Sequence, residues 1–149
     1  MRYVKEIDLR NQFWLKYGYR KNILRYQFEA NLDGRDIDLI TIERVKDTKG
    51  DGYHYEIVSF EFKLEDIEKA LSQAKNNLNF CHKSYIVVPE HKWKTISERY
   101  MCQLEQYSSI GVFTQEYEGN WTVRRKAVFN KKARLSDGII KLLLNDFKK

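Results

Sequence analysis

The chain has 149 residues, the length of one ordinary domain, and no linker divides it. Hydrophobic residues make up 42% of the sequence and aromatic residues 14%, which is enough to build a core and excludes a disordered class. No run of 18 apolar residues occurs, and the charged start MRYVKEIDLR is unlike a signal peptide. We therefore expect one cytoplasmic domain, spanning residues 1–149, that does not enter a membrane.

The formal charge of +6 is distributed unevenly along the chain. Residues 1–75 contain 14 Lys and Arg against 14 Asp and Glu, whereas residues 76–149 contain 13 against 7. This excess favours a polyanionic partner, with nucleic acid ahead of membrane because there is no basic amphipathic helix with a lipid-type apolar face. Solubility alone is the alternative explanation.

The first half of the chain predicts one helix and three strands. The helix covers residues 4–17 and closes at Gly18. Strands follow at residues 22–32 and 35–45, separated by the turn signal LDG. The Gly- and Asp-rich loop 46–52 leads to a third strand over residues 53–64, so the second and third strands are expected to form a hairpin.

The second half alternates helices and strands. A helix is predicted over residues 66–79 with Asp66 near its N-terminus, then a short uncharged strand in SYIVVP. One continuous helix is predicted from Trp93 to Tyr107 because its apolar residues recur at helical spacing. Two strands, IGVFTQEY and WTVRRKAVF, flank EGN, and a last helix begins near Ser136. The order αβββαβαββα predicts an α/β domain with a mixed sheet.

The stretch FEFKLED places two ionisable side chains inside an apolar strand. Glu61 and Lys63 are two residues apart and therefore project from the same face, while Phe60 and Phe62 project from the other. In the preceding strand Asp36 and Asp38 are expected on one face and Ile37 and Leu39 on the other, so Asp38 can approach Glu61 across the hairpin. Two carboxylates at close range repel each other unless a cation lies between them, and Mg²⁺ prefers oxygen ligands. Lys63 would counter charge that develops during phosphodiester attack.

The segments DIDLI and EFK, a helix carrying SQA and an apolar strand together resemble the PD-(D/E)XK nuclease superfamily. The resemblance covers roughly residues 1–90 and implies a restriction-endonuclease-like fold with a core similar to that of Holliday-junction resolvases. Such a fold has a central mixed β-sheet flanked by helices, here αβββαβ followed by αββα. The sequence departs from the fullest pattern by having Ile37 where proline precedes the aspartate, so Asp36 stays open as the ligand beside Asp38.

The resemblance also implies roles for individual residues. Asp38, Glu61 and the main-chain carbonyl of Phe62 would bind Mg²⁺ or Mn²⁺, and Lys63 would position the nucleophilic water. Gln73 would orient the site or contact phosphate. Many members contribute an acidic residue from the first helix, and Glu6 fits that position best, although a surface role is equally open.

A basic stretch follows in the second half of the chain. Phosphate contacts and a solvated surface explain it equally well. Its cations are Arg124, Arg125, Lys126, Lys131, Lys132 and Arg134.

These observations predict a metal-dependent nuclease that acts on DNA ahead of RNA. One alternative is a nucleic-acid-binding or scaffolding subunit that has the same fold but no catalytic activity. Another is a small α/β protein-interaction domain in which EFK is a coincidence. A chain this small favours structure-selective or partner-directed cutting, with a homodimer or a partner subunit as the assembly.

Overall fold

A computed structural model describes residues 2–32 and 34–134, and one mixed sheet runs through this part of the chain. Its strands are β1 (Ile23–Leu32), β2 (Arg35–Lys46), β3 (Tyr53–Phe62), β4 (Lys83–Pro89), β5 (Ile110–Gln115) and β6 (Trp121–Arg125). The strands lie in sequence order across the sheet. Neighbours are antiparallel except for the parallel pairs β3–β4 and β4–β5. The predicted mixed sheet and the β2–β3 hairpin are confirmed.

Helices pack on both faces of the sheet. They are α1 (Glu6–Tyr17), α2 (Ile67–Asn77), α3 (Trp93–Arg99) and α4 (Met101–Glu105), with a 3₁₀ turn at Glu90–Lys92. The Asp66 side chain caps α2 by accepting a hydrogen bond from the main-chain N of Lys69 at 3.0 Å. The helix predicted near Ser136 lies outside the described residues. No described helix has the length and apolar character needed to cross a membrane.

Helix α1 covers one face of the sheet with a ladder of aromatic rings. Leu9, Phe13 and Tyr17 recur every four residues and are almost fully buried. The ring centroid of Phe13 lies 5.7 Å from those of Phe60 and Phe62. Burying one such side chain contributes about 1.5–3 kcal/mol, so this contact holds α1 firmly against β3.

Helices α2, α3 and α4 cover the opposite face. The small residues Ala70 and Ala74 let α2 approach the central strand β4, where Ile86 and Val88 are fully buried. The side chains of β3 therefore divide between two layers. Phe60 and Phe62 face α1, as predicted, whereas Glu61 faces α2.

The continuous helix predicted from Trp93 to Tyr107 is wrong in one respect. The segment forms two helices, because the main chain at Tyr100, with φ −119° and ψ 0°, interrupts the regular turn between α3 and α4. Ile96 and Leu104 nevertheless bury against the same cluster. The bend keeps the helical face on the sheet, so the spacing of apolar residues continues through it and cannot reveal it.

The last two described strands are shorter than predicted. Strand β5 ends at Gln115 and β6 ends at Arg125, after a shift in their register between Val112 and Phe113. At this irregularity the main chain of β6 approaches Gly111 closely, and a Cβ there would lie 2.6 Å from the main-chain oxygen of Arg125 and would overlap the ring of Tyr85. The close approach therefore requires glycine.

We expect Gly111→Ala to lower the free energy of unfolding by about 1–3 kcal/mol, because a methyl group must displace main chain and a buried ring. Gly52→Ala is the matched control, since its Cβ would meet only the carboxylate tip of Asp47 in an exposed loop. Its change should stay within about 1 kcal/mol. Urea denaturation followed by circular dichroism measures both. Equal losses in the two variants would contradict this account of Gly111.

Candidate active site

The pairing of β2 with β3 ends at Leu39 and Phe60, and the predicted site lies just beyond this point. There the Asp38 carboxylate accepts a hydrogen bond from the main-chain N of Phe62 at 2.8 Å. A side chain thus replaces the main-chain acceptor that a continuing ladder would supply. One residue further along β3, the main-chain N of Lys63 donates to the carbonyl of Val87 in β4 at 3.1 Å. The two strands separate here, and the Asp38 carboxylate lies between them.

The regular alternation of β2 also breaks at Asp38. Leu39 packs in the aromatic cluster with Phe60, whereas Ile37 packs with Ile40 on the other side. The expectation that Ile37 and Leu39 share one face is therefore wrong. Opposite Asp38 in the hairpin, Glu29 has a left-handed φ of +50°, which twists β1 at this level.

Glu61 is almost completely buried, and its side chain points toward α2. Its Oε2 accepts a hydrogen bond from Asn77 Nδ2 at 3.0 Å, while its Oε1 is buried without a hydrogen-bond partner among the described residues. Burial, followed by the negative charge of Asp38, raises the pKa of Glu61 to about 8. Burial likewise raises the pKa of Asp38. Without a cation, the site therefore disfavours two ionised carboxylates.

Asn77 is a site residue that the sequence did not reveal. Its amide donates to Glu61 Oε2 and to Ser59 Oγ, the latter at 3.2 Å, and Ser59 Oγ lies 2.6 Å from Ser84 Oγ. This buried polar chain joins α2, β3 and β4 behind the carboxylate. An asparagine near the end of a polar helix carries no sequence signal, although its spacing of four residues from Gln73 places both on one helix face.

Gln73 lies one helical turn before Asn77. Its Oε1 is buried and has no hydrogen-bond partner among the described residues. A buried amide oxygen without a partner costs free energy, so a hydrogen-bond donor or a cation next to it would stabilise the structure. The geometry is compatible with the predicted role in the site.

Lys63 and Glu6 contact each other at the end of β3. Lys63 Nζ lies 3.9 Å from Glu6 Oε1, and the Lys63 side chain is only 15% exposed. The other oxygen of Glu6 accepts a hydrogen bond from the main-chain N of Leu64 at 3.3 Å. Glu6 therefore ties α1 to the end of β3 beside the lysine.

A pocket of about 180 Å³ opens beside these residues, and Asp38 and Phe62 form part of its wall. Two lining residues were not predicted from the sequence: Arg10 and Glu29, whose side chains form an ion pair at 3.6 Å. Arg10 also lies over the Phe28 ring, 4.5 Å from its centroid. The guanidinium of Arg10 therefore gives this pocket a cation of the kind that suits a phosphate.

Asp36 lies outside this arrangement. It is exposed and accepts a hydrogen bond from Asn31 Nδ2 at 2.9 Å across the β1–β2 hairpin. Of the two aspartates left open by the sequence, Asp38 is the one that reaches β3.

The donor set suits a hard cation, although the protein supplies only part of a coordination shell. Within residues 2–32 and 34–134 no three His, Cys, Asp or Glu side chains form a metal-binding group. Asp38 and Glu61 offer two carboxylates, one with an unpartnered oxygen, and Mg²⁺ commonly uses one or two carboxylates with several waters. The residues present therefore fit Mg²⁺ or Mn²⁺. Glu6 contacts Lys63 rather than completing a third carboxylate ligand.

The predicted basic stretch does not form one surface. Arg124 bonds Thr114 at 3.0 Å and Arg125 bonds the carbonyl of Leu104 at 2.9 Å, so both have structural partners. Lys126 is exposed on another pocket. The remaining cations lie near the end of α2 and the start of β4. Along β4, this start is about 13 Å from Val87, whose carbonyl accepts the hydrogen bond from Lys63. These remaining cations are Lys131, Lys132 and Arg134.

Comparisons with known proteins bear on the fold. No family model and no curated protein matches the chain. A solved structure of a protein of unknown function from Silicibacter pomeroyi is similar to it, with a TM-score of 0.54 and 15% sequence identity. The match covers 96% of this chain and 81% of that chain. At this identity the likeness concerns the α/β architecture alone.

The raised pKa of Glu61 predicts how the stability of the metal-free protein depends on pH. Between its ordinary value of 4.5 and about 8, folded Glu61 keeps a proton that the unfolded chain has released. Stability should therefore fall as the pH rises through this window. Glu61→Gln removes the titration and should flatten the profile.

Denaturant unfolding at a series of pH values, in EDTA, measures this effect. Glu98→Gln on the exposed side of α3 is the matched control and should keep the wild-type slope. Parallel profiles for wild type and Glu61→Gln would show that Glu61 is ionised in the fold and would contradict the prediction.

Proposed function

We propose that the protein is a divalent-metal-dependent nuclease of the PD-(D/E)XK type, acting on DNA in preference to RNA. The observation that carries the proposal is the meeting of Asp38 with the Glu61–Lys63 segment where β2 and β3 separate. The order αβββαβ, with antiparallel β1–β3 and parallel β3–β4, supports a restriction-endonuclease-like core.

The proposed roles follow from the positions of the side chains. Asp38, Glu61 and the Phe62 carbonyl would hold Mg²⁺ or Mn²⁺. The metal, when bound, supplies a Lewis acid that activates water and stabilises charge on phosphate oxygens. The Lys63 side chain is only 15% exposed, and its ammonium would orient water and stabilise negative charge. The ion pair between Lys63 and Glu6 limits the rotamers that the lysine side chain can adopt.

Other residues of this chain support that arrangement. Asn77 holds one oxygen of Glu61 from α2, and the other oxygen, which has no hydrogen-bond partner within the described residues, would be available to the metal. Arg10 is placed to receive a phosphate of the substrate strand at the pocket beside Asp38. The intact set of carboxylates and lysine favours an enzyme over a scaffolding subunit that has lost its chemistry.

Lys63→Ala should reduce cleavage roughly 10²–10³-fold, because charge on the transition state loses a well-placed cation. The assay uses labelled single-stranded, duplex and junction DNA and matching RNA, each in Mg²⁺, Mn²⁺ and EDTA. Lys94→Ala on the exposed side of α3 serves as the matched control and should cut normally. Full activity in EDTA or in Lys63→Ala would refute the mechanism, and absence of cleavage on every substrate would favour the non-catalytic alternatives.

Asp38→Asn and Asp36→Asn form a matched pair that tests the metal ligand. Asp38→Asn should abolish both cleavage and the rise in melting temperature caused by Mg²⁺ or Mn²⁺. It should also stabilise the metal-free protein at alkaline pH, since it removes repulsion against Glu61. Asp36→Asn should change little, because Asp36 is exposed and its carboxylate accepts a hydrogen bond from Asn31 rather than from β3. Calorimetry that finds normal metal binding in Asp38→Asn and none in Asp36→Asn would reverse the assignment.

A further inference from the structure

A second cleft lies at the other end of α1. Past Tyr17, the last residue of the helix, a groove of about 430 Å³ opens on the same face of the sheet. We call it the aromatic groove and define it by its wall residues Tyr17, Val58, Tyr85, Phe113, Trp121 and Val123. Val58 precedes Phe62 by four residues of β3, so the groove and the candidate active site are about 13 Å apart along the strand.

The wall of the aromatic groove presents a ring that a planar ligand could stack on. Trp121 is half-buried, and its ring contacts those of Tyr17 and Phe113 edge to face, with centroids 5.7 Å and 5.4 Å away. These contacts fix the indole while leaving part of it open to the groove. Val123 beside it is 41% exposed, which extends the apolar surface.

The carboxylates at the groove already have partners. Glu43 accepts hydrogen bonds from the hydroxyls of Tyr17, at 2.8 Å, and Thr41, at 2.6 Å. Glu56 pairs with Lys83 Nζ at 2.8 Å and lies 2.7 Å from a ring nitrogen of His54. Glu43 also pairs with Arg20 at 3.4 Å, so each of the two carboxylates already has a cation beside it.

The rim carries an excess of positive charge. Arg44, Lys46 and Lys126 line the aromatic groove and are exposed, and none of them forms an ion pair within residues 2–32 and 34–134. Arg44 instead lies over the Tyr53 ring, 4.8 Å from its centroid. An aromatic wall beneath a cationic rim matches a ligand that combines flat bases with phosphates.

We propose that the aromatic groove binds an unpaired segment of nucleic acid, with a base stacked on Trp121 and phosphates on Lys46 and Lys126. A single strand is favoured over a duplex because only an unpaired base exposes its face to a side chain. The inference rests on the proposed function in that its ligand is nucleic acid, and it adds that the substrate carries a single-stranded region. It does not require cleavage.

Binding in EDTA tests the groove apart from the chemistry. The probes are a fluorescein-labelled oligothymidylate of about 12 nucleotides, an abasic strand of equal length and a duplex. The wild-type protein should bind oligothymidylate roughly tenfold more tightly than the abasic strand. Trp121→Leu keeps an apolar side chain but removes the ring, so it should abolish that difference. Equal affinities of wild type for the thymidylate and abasic strands would overturn base stacking.

Two lysine pairs test the rim without touching the core. Lys46→Ala with Lys126→Ala should reduce the slope of log affinity against log salt by about 1.4, the value for two phosphate contacts on a single strand. Lys69→Ala with Lys94→Ala removes two exposed lysines outside the groove and should leave the slope unchanged. Equal slopes in both pairs, or displacement of oligothymidylate by polyglutamate at equal charge, would overturn the inference. Cleavage lost in Lys63→Ala would still support the nuclease, so the two failures are distinguishable.

Discussion

The structure around the candidate site depends on one constraint: the carboxylates of Asp38 and Glu61 lie where the pairing of β2 with β3 ends. Asp38 receives the main-chain N–H of Phe62, and Glu61 is held by Asn77 from the opposite side. Burying charge of one sign is costly, and the raised pKa of both groups expresses that cost. Aromatic packing of α1 on one face and close packing of α2 on the other provide the stability that offsets it.

The parts of this arrangement that follow strand geometry could be predicted from the sequence. A period of two places Glu61 on the face of β3 opposite the phenylalanines, and the 46–52 loop brings β2 back beside β3. Lys63 follows the last residue of β3 and contacts Glu6 of α1, whereas Glu61 contacts Asn77 of α2, so the face that this pair was expected to share is not observed. Charged residues within apolar strands therefore indicated where ionisable side chains meet inside the fold. The antiparallel register pairs Leu39 with Phe60, so one residue further along it brings Asp38 opposite Glu61.

Other features depend on contacts that a linear pattern does not contain. The twist at Glu29 and the break in alternation at Asp38 arise where two strands diverge, and neither residue type predicts it. Asn77 gains its role only because α2 packs with Ala74 against the sheet, which brings an unremarkable amide to a buried carboxylate. The bend at Tyr100 leaves apolar spacing intact. Tertiary packing overrides local periodicity in each case.

Helix α1 connects the two proposed contacts with nucleic acid. Arg10 and Glu6 in its first half border the pocket at Asp38, and Tyr17 at its end borders the aromatic groove. Twelve residues of α-helix span about 18 Å, and the pocket and the groove lie at its two ends. One strand running along α1 would therefore reach Trp121 and the carboxylate gap together. Stacking at the far end would hold the strand in register, so that a phosphate a fixed number of nucleotides away meets Lys63. Under the two proposals together, a fixed distance from an unpaired base would select the cutting position by substrate shape rather than by sequence.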